Sequence, residues 1–443
     1  MSSQAEVGVL LQDLAPCMSK PRWQNFLLLV VALQVARSFI LWRIAAALLL
    51  PIPHESRYQR IKRVLSWQET DWQDLRRAWV RAAIDLFAPG LGPLVILTDW
   101  TLHTDRCRSL WVQLPVGGRG VPLAFWLTAN EFGGAGKQRE FEDAAFRELA
   151  GWLPEGRVVI IVGDRGFGGR ERMRFFRHQL GWYFVLRVTG DARIQWQGVW
   201  RRLDSLEPPV GQRWQAERVR YGRKGSVVVN VVAVRERLPE AKPVRDWKGH
   251  LTGETVKETV WYLVTNLPLT VDVVALYALR MQIEQSFRDY KTEFGLEQER
   301  TEDPVKRLPV LLLALMVVVA LEIHKGQEVV GRDPEELDWR GWALAPPARE
   351  EPAAVGGGTV VAEPTADAAY ALAERDYPVV SVLREGQQRC WLELLWGQAE
   401  MVAVLRAAGQ KCQRMQQRPQ VQGRRKVWRT KRRRRTTPLP GTP

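Results

Sequence analysis

At 443 residues the chain is too long for one ordinary domain, and with 46% hydrophobic and 26% charged residues it can bury a core, which excludes a protein disordered throughout. Lysine and arginine total 64 against 49 acidic residues, and a net charge of +15 points to a polyanionic partner, nucleic acid ahead of an acidic membrane surface. Much of the excess is C-terminal. No acidic residue follows Glu400, whereas Arg406, Lys411, Arg414 and Arg418 precede nine cations between Arg424 and Arg435, with Trp428 among them to stack on a base.

Residues 1–88 read as a helical N-terminal domain. Phe26–Leu50 is apolar but interrupted by Gln34, Arg37, Ser38 and Arg43, which suits a buried helix pair better than a membrane span. The N-terminus begins polar and the apolar run starts late, so no cleavable signal is expected. Arg57–Arg81 alternates basic and apolar residues, and suits a solvated helix face or a DNA-binding helix equally. Pro89-Gly90 and Gly92-Pro93 punctuate the chain, and a first core segment, 89–190, follows. Leu94–Thr98, Ser109–Leu114 and Val121–Thr128 read as an antiparallel meander, Phe141–Leu149 as helix, Arg157–Val162 as a buried strand and Phe184–Val188 as another. Residues 191–269 form a β-rich insertion of short alternating segments such as Val227–Val234 and Thr259–Thr265. A second core segment, 270–345, resumes as helix from Asp272 past Gly295. It includes the uncharged run Leu308–Leu321, shorter than the ~20 residues a membrane span needs and so read as a core helix. Residues 346–443 comprise a Pro/Gly-rich linker with Gly356–Gly358, a helix near Cys390–Ala408, and the basic tail. Cys17, Cys107, Cys390 and Cys412 lie far apart without CxxC spacing, which opposes a zinc finger or disulfide framework and fits a reducing, cytoplasmic compartment.

Asp99 ends the apolar run Val95–Thr98, and Asp164 ends Val158–Gly163. A carboxylate at the end of a buried strand is fixed in place while its oxygens reach solvent, as hard cations such as Mg²⁺ require. Tyr277, Arg280, Glu284 and Lys291 fall at roughly 0°, −60°, −20° and −40° on a helical wheel, one polar stripe beside an apolar face of Leu276, Leu279, Ile283, Phe287, Tyr290 and Phe294. Ordinary i,i+4 pairing of Arg280 with Glu284 explains a charged helix face, but not the two upstream aspartates. Three carboxylates from two strands and a helix suit two-metal phosphoryl transfer, with Arg280 and Lys291 available for phosphate.

Tyr277-(2)-Arg280-(3)-Glu284-(6)-Lys291 resembles the Y-(2)-R-(3)-E-(6)-K signature of DDE transposases of the insertion-sequence-four family. Asp99-Trp100-Thr101 and Asp164-Arg165-Gly166-Phe167 resemble its two aspartate motifs. The resemblance covers roughly Leu94 to Leu315. It implies an α/β fold: an RNase H-like catalytic core, a mixed sheet flanked by helices, interrupted by the β-rich insertion. It implies that Asp99, Asp164 and Glu284 hold two Mg²⁺ or Mn²⁺ ions, and that Tyr277, Arg280, Lys291 and Arg165 contact DNA. Cut-and-paste transposition would follow, water attacking at the element end and the freed 3′-OH attacking next, with terminal inverted repeats and target DNA as partners. A homodimer on paired ends and a place at the bacterial nucleoid, without a membrane, are implied too. Relatives hold a flipped base on an insertion tryptophan; Trp196, Trp200, Trp214 and Trp247 are candidates, and nothing in the sequence chooses among them. The rival readings are an RNase H-like nuclease without strand transfer and an idle DNA-binding repressor of element ends.

Other features carry less. Gly133–Gln138 lacks the spacing of a phosphate loop and Gly166–Gly169 that of a dinucleotide fingerprint; His103 lies near Asp99, where a structural role suits it best. Deleting Arg424–Pro443 is expected to weaken DNA affinity and flatten its salt dependence, by up to about 0.9 in log–log slope for each phosphate the tail neutralises. An unchanged slope in a salt titration would exclude the tail from binding.

Overall fold

The apolar stretch Phe26–Leu50 folds as two helices, α1 (Lys20–Ala36) and α2 (Leu41–Ala47), bent 102° from one another after the left-handed residue Arg37 (φ 46°). The structure, a computed structural model, describes residues 13–48, 50–68, 72–103, 106–134, 136–245, 251–298, 303–330 and 344–347, without the side chains of 236–258 and 328–330. Nearly all of the expected linker, the helix near Cys390–Ala408, the basic tail with Trp428, and Trp247 lie outside the described residues. Two further helices follow, α3 (His54–Val64) and α4 (Gln73–Phe87).

The basic stretch Arg57–Arg81 is not uniformly a solvated or DNA-facing surface. Arg57 donates to the carbonyls of Leu48 and Ile52, each at 2.9 Å. Arg76 is 3% exposed and donates to the Phe125 carbonyl at 3.1 Å. Its guanidinium carbon lies 4.8 Å from the Trp152 ring centroid, 5.4 Å from those of Trp72 and Trp126, and 5.8 Å from that of Phe125. Glu148, 3.7 Å away, balances the charge.

The sheet begins with β1 (Leu94–Leu102), β2 (Cys107–Val116) and β3 (Arg119–Ala129), an antiparallel meander whose β2–β3 turn uses Gly117 and Gly118 at φ 53° and 76°. Helix α5 (Lys137–Trp152) leads to β4 (Val159–Gly163), which pairs parallel with β1. A short turn and α6 (Arg170–Arg174), prolonged by a π-helical turn to Leu180, lead to β5 (Tyr183–Val188), parallel to β4. The order β3-β2-β1-β4-β5 is that of an RNase H-like core, and its central strands read as unbroken apolar runs because both faces are covered.

The insertion forms β6 (Arg193–Trp196), β7 (Val199–Arg202), β8 (Arg213–Tyr221), β9 (Val227–Arg245) and β10 (Leu251–Thr265). Two of these are far longer than the expected short segments. Nor do they make a sheet apart, since β10 pairs antiparallel with β5 and all ten described strands form one mixed sheet. The chain then returns to the core as α7 (Val273–Ala278), α8 (Met281–Thr292) and α9 (Pro304–Val330).

Helix α9 extends well beyond Leu308–Leu321. Its Pro304–Gln327 portion is long and apolar enough to cross a membrane by composition, yet 83% of the qualifying window is buried inside the protein. It packs against α1 and β3, while α4 packs against β3, so the N-terminal helices share one hydrophobic core with the sheet.

Replacing Arg76 by methionine is expected to cost about 3 kcal/mol, because Glu148 and the four rings around the guanidinium lose their cation. Urea denaturation measures it, and a loss below about 1 kcal/mol would show that Arg76 does not pin α4 to the sheet.

Candidate active site

Two parallel strands bring the aspartates level. In the β1–β4 register the last pair is Thr98 with Gly163, so Asp99 and Asp164 are the first residues beyond it on neighbouring strands. Asp99 does not end its strand as expected. Strand β1 continues to Leu102 against β2, with Asp99 opposite Trp111, and only its β4 neighbour stops. One Asp99 oxygen accepts the Trp100 amide at 2.8 Å. Asp164 turns the chain away by accepting the Gly166 amide at 2.8 Å.

The third carboxylate arrives on α8. The stretch from Asp272 to Gly295 is not one helix but two, broken at Leu279–Arg280. Asp272 caps α7 by accepting the amides of Val274 and Ala275 at 3.1 and 3.2 Å. Of the expected apolar face, Leu276, Ile283, Phe287, Tyr290 and Phe294 are buried, and Leu279, at the break, is half-buried. Polar contacts fix the rotation of α8. Ser286 accepts the Gly120 amide at 2.9 Å, and Arg119 pairs with Asp289 at 2.6 Å.

Arg280 joins the pieces. It stands immediately before α8, 8% exposed, and donates from one nitrogen to Asp99 at 2.9 Å and from the other to Glu284. Burial pushes the Asp99 carboxyl up to about 7 against the pull of Arg280, and the charges of Asp164 and Glu284 add to the rise. Burial works against the Arg280 charge too, but Tyr277, Glu284, Asp99 and Asp164 outweigh it and raise its pKa. Asp164 and Glu284 thus both act on Asp99, and all three carboxylates act on one guanidinium.

Tyr277 is buried at the end of α7, its ring edge-on to Trp261 at 5.1 Å and 5.8 Å from the Arg280 guanidinium. Lys291 stands further along α8, paired with Glu297 at 2.7 Å. Arg165 is exposed in the turn after Asp164. Sequence reasoning missed Arg187 on β5, which donates to the Val260 carbonyl at 3.2 Å; burial lowers its pKa, and the charges of Arg165 and Arg280 add to the fall against the pull of Tyr277. The one available signal was an arginine inside the apolar strand Phe184–Val188. His103 is buried, bonded to Ser109 at 2.5 Å, and held near pKa 3 by burial and by Lys291, in keeping with a structural role. Trp214 is buried edge-on against Trp196, and Trp200 is half-buried on β7.

The chemistry of the donor set, three carboxylate side chains, suits a hard divalent cation. Among the described residues no three His, Cys, Asp or Glu side chains stand close enough in this conformation to hold an ion jointly. Between Asp99 and Glu284 lies the Arg280 guanidinium, a positive charge of the kind such an ion would bring.

Residues 138–319 match the family model described as the transposase DDE domain, and that match supports a DDE transposase. The matched segment contains Asp164, Tyr277, Arg280, Glu284 and Lys291; Asp99 lies upstream of it. No curated protein matches the sequence. Among solved structures the chain is similar to a cryo-EM structure of a piggyBac transposase synaptic complex with hairpin DNA, at a TM-score of 0.38 and 10% identity, covering 89% of this chain and 76% of that one.

Asp99 ionises near its ordinary 3.8 in the unfolded chain and at about 7 in the folded one. The folded state therefore holds the extra proton between those values, and stability falls as pH rises through the window. Asp99→Asn abolishes that fall. In EDTA its Tm relative to the parent is expected to be higher at pH 8 than at pH 4; a difference that stays constant with pH would contradict the burial of this carboxyl.

Proposed function

We propose that the chain is a cut-and-paste DNA transposase in which Asp99, Asp164 and Glu284 hold two Mg²⁺ or Mn²⁺ ions. The observation that carries this reading is the single guanidinium of Arg280 shared by Asp99 and Glu284, beside an Asp164 level with Asp99 on the adjacent strand. Divalent cations held there supply Lewis-acid polarisation of a phosphodiester and offset the charge that develops on it. The chain's own residues do the positioning. Arg280 offers a planar fork, Lys291 a point charge and Tyr277 a hydroxyl to phosphates beside the scissile bond, with Arg165 next to Asp164. Water displaces the 3′ oxygen at the element end, and the freed hydroxyl then attacks a second phosphodiester, one P–O bond forming as another breaks.

Residues 89–190 and 270–345 constitute the catalytic core in this reading, 191–269 the insertion, 1–88 the part that reads terminal inverted repeats, and 346–443 a further polyanion contact. A homodimer on paired ends, acting at the nucleoid, completes it. Of the described insertion tryptophans, Trp214 is buried and Trp196 packs edge-on against it, whereas Trp200 is half-buried on the edge strand β7, which favours Trp200 for a flipped base.

The experiment uses labelled element ends and a target plasmid with Mg²⁺. The parent is expected to cleave and join. Asp99→Ala, Asp164→Ala and Glu284→Ala are each expected to lose cleavage by more than about a thousandfold while still shifting the DNA in a binding gel. Cleavage surviving in any of the three refutes the site. Cleavage without joining identifies a nuclease, and binding alone a repressor.

A further inference from the structure

The loop joining β8 to β9, Gly222–Ser226, is held against α6 by arginine side chains. Arg170 donates to the Gly225 carbonyl at 3.2 Å, and Arg174 donates to the carbonyls of Gly225 and Ser226 at 2.7 and 3.1 Å. Gly222, at φ 81°, lies so near Arg170 that a Cβ there would stand 2.4 Å from its Cδ. The Gly222 amide donates to the Arg193 carbonyl at 2.8 Å, and the Tyr221 hydroxyl donates to the Gly168 carbonyl in the turn after Asp164. A rigid loop tip thus presents Arg223 and Lys224 to solvent, with exposed Arg193 beside it. The acidic groups nearby are Glu171, 3.8 Å from Arg174, and Asp191, whose charge acts on Tyr221, so the cations outnumber them.

We infer that this clamped loop is a docking surface for the phosphate backbone of duplex DNA leading away from the carboxylate site. The inference rests on the transposase reading and deepens it. Two features select the ligand. Cations on a pinned backbone suit a regular phosphate array, whereas the neighbouring rings, Tyr221 and Phe175, are buried and offer no face on which to stack an unpaired base. The surface is also tied by Tyr221 to the turn that follows Asp164, which links the loop to the aspartate side of the core.

The test is fluorescence anisotropy with the full chain and a labelled duplex, in EDTA, across a salt series. Arg223→Ala/Lys224→Ala is expected to weaken duplex binding at least tenfold at 0.1 M salt and to lower the log–log salt slope by about 2. Arg223→Glu/Lys224→Glu is expected to deepen the loss. Lys137→Ala/Lys306→Ala, which removes two exposed cations of α5 and α9, is the charge-matched control and is expected to keep the parental slope. A loop variant that matches this control overturns the inference, as does a loss on a single strand equal to that on the duplex. Because no cleavage is read, either failure leaves the carboxylate site standing, and an inactive carboxylate site leaves this result standing.

Discussion

The candidate site is organised around one positive charge, the Arg280 guanidinium shared by Asp99 and Glu284. Asp99 and Asp164 are brought level by two parallel strands, and α8 carries Glu284 to the guanidinium that Asp99 also bonds. Like charges so placed repel, and burial makes the repulsion worse. The Arg280 guanidinium, bonded to Asp99 and Glu284 at once, offsets it and lets α8 dock. An arginine suits the task because its charge is permanent and its fork reaches two carboxylates together. In the proposed reaction the same fork serves a phosphate once divalent cations balance the carboxylates.

Helix α8 is consequently held at several points along its length. Ser286 and Asp289 secure it to the β2–β3 hairpin, and Tyr290 accepts a hydrogen bond from Gln113 at 3.3 Å. Just beyond its last turn the Phe294 carbonyl accepts the Phe39 amide at 3.0 Å, and the Arg37 guanidinium lies 3.9 Å over the Phe294 ring. Arg37 also pairs with the buried Glu322 of α9. The bend between α1 and α2 is therefore wired directly to the helix that carries Glu284.

Much of this was legible from residue patterns. Strands β1 and β4 are unbroken apolar runs because parallel strands are buried on both faces, and the aspartates stand out against them. The face of α8 was readable from its period. The break at Leu279–Arg280 was not, since no glycine or proline marks it. It falls at the residue whose side chain bonds Asp99 across 181 positions, a tertiary contact that local periodicity does not encode. Arg187 was hidden for a similar reason, as a lone arginine in an apolar strand reads as an edge residue until Tyr277 is placed beside it. The joining of the insertion to the core sheet depends on β5 pairing with β10, which no local pattern announces.

The most direct test of the account is a Mn²⁺ titration of the DNA-free chain, following free ion by electron paramagnetic resonance. Saturable binding is expected for the parent, weakened more than tenfold by Glu284→Gln and by Asp99→Asn and strengthened by Arg280→Ala, which removes the competing charge. Equal Mn²⁺ affinity in all four proteins would contradict the claim that these carboxylates form one cation-binding centre with Arg280 as its internal counter-ion.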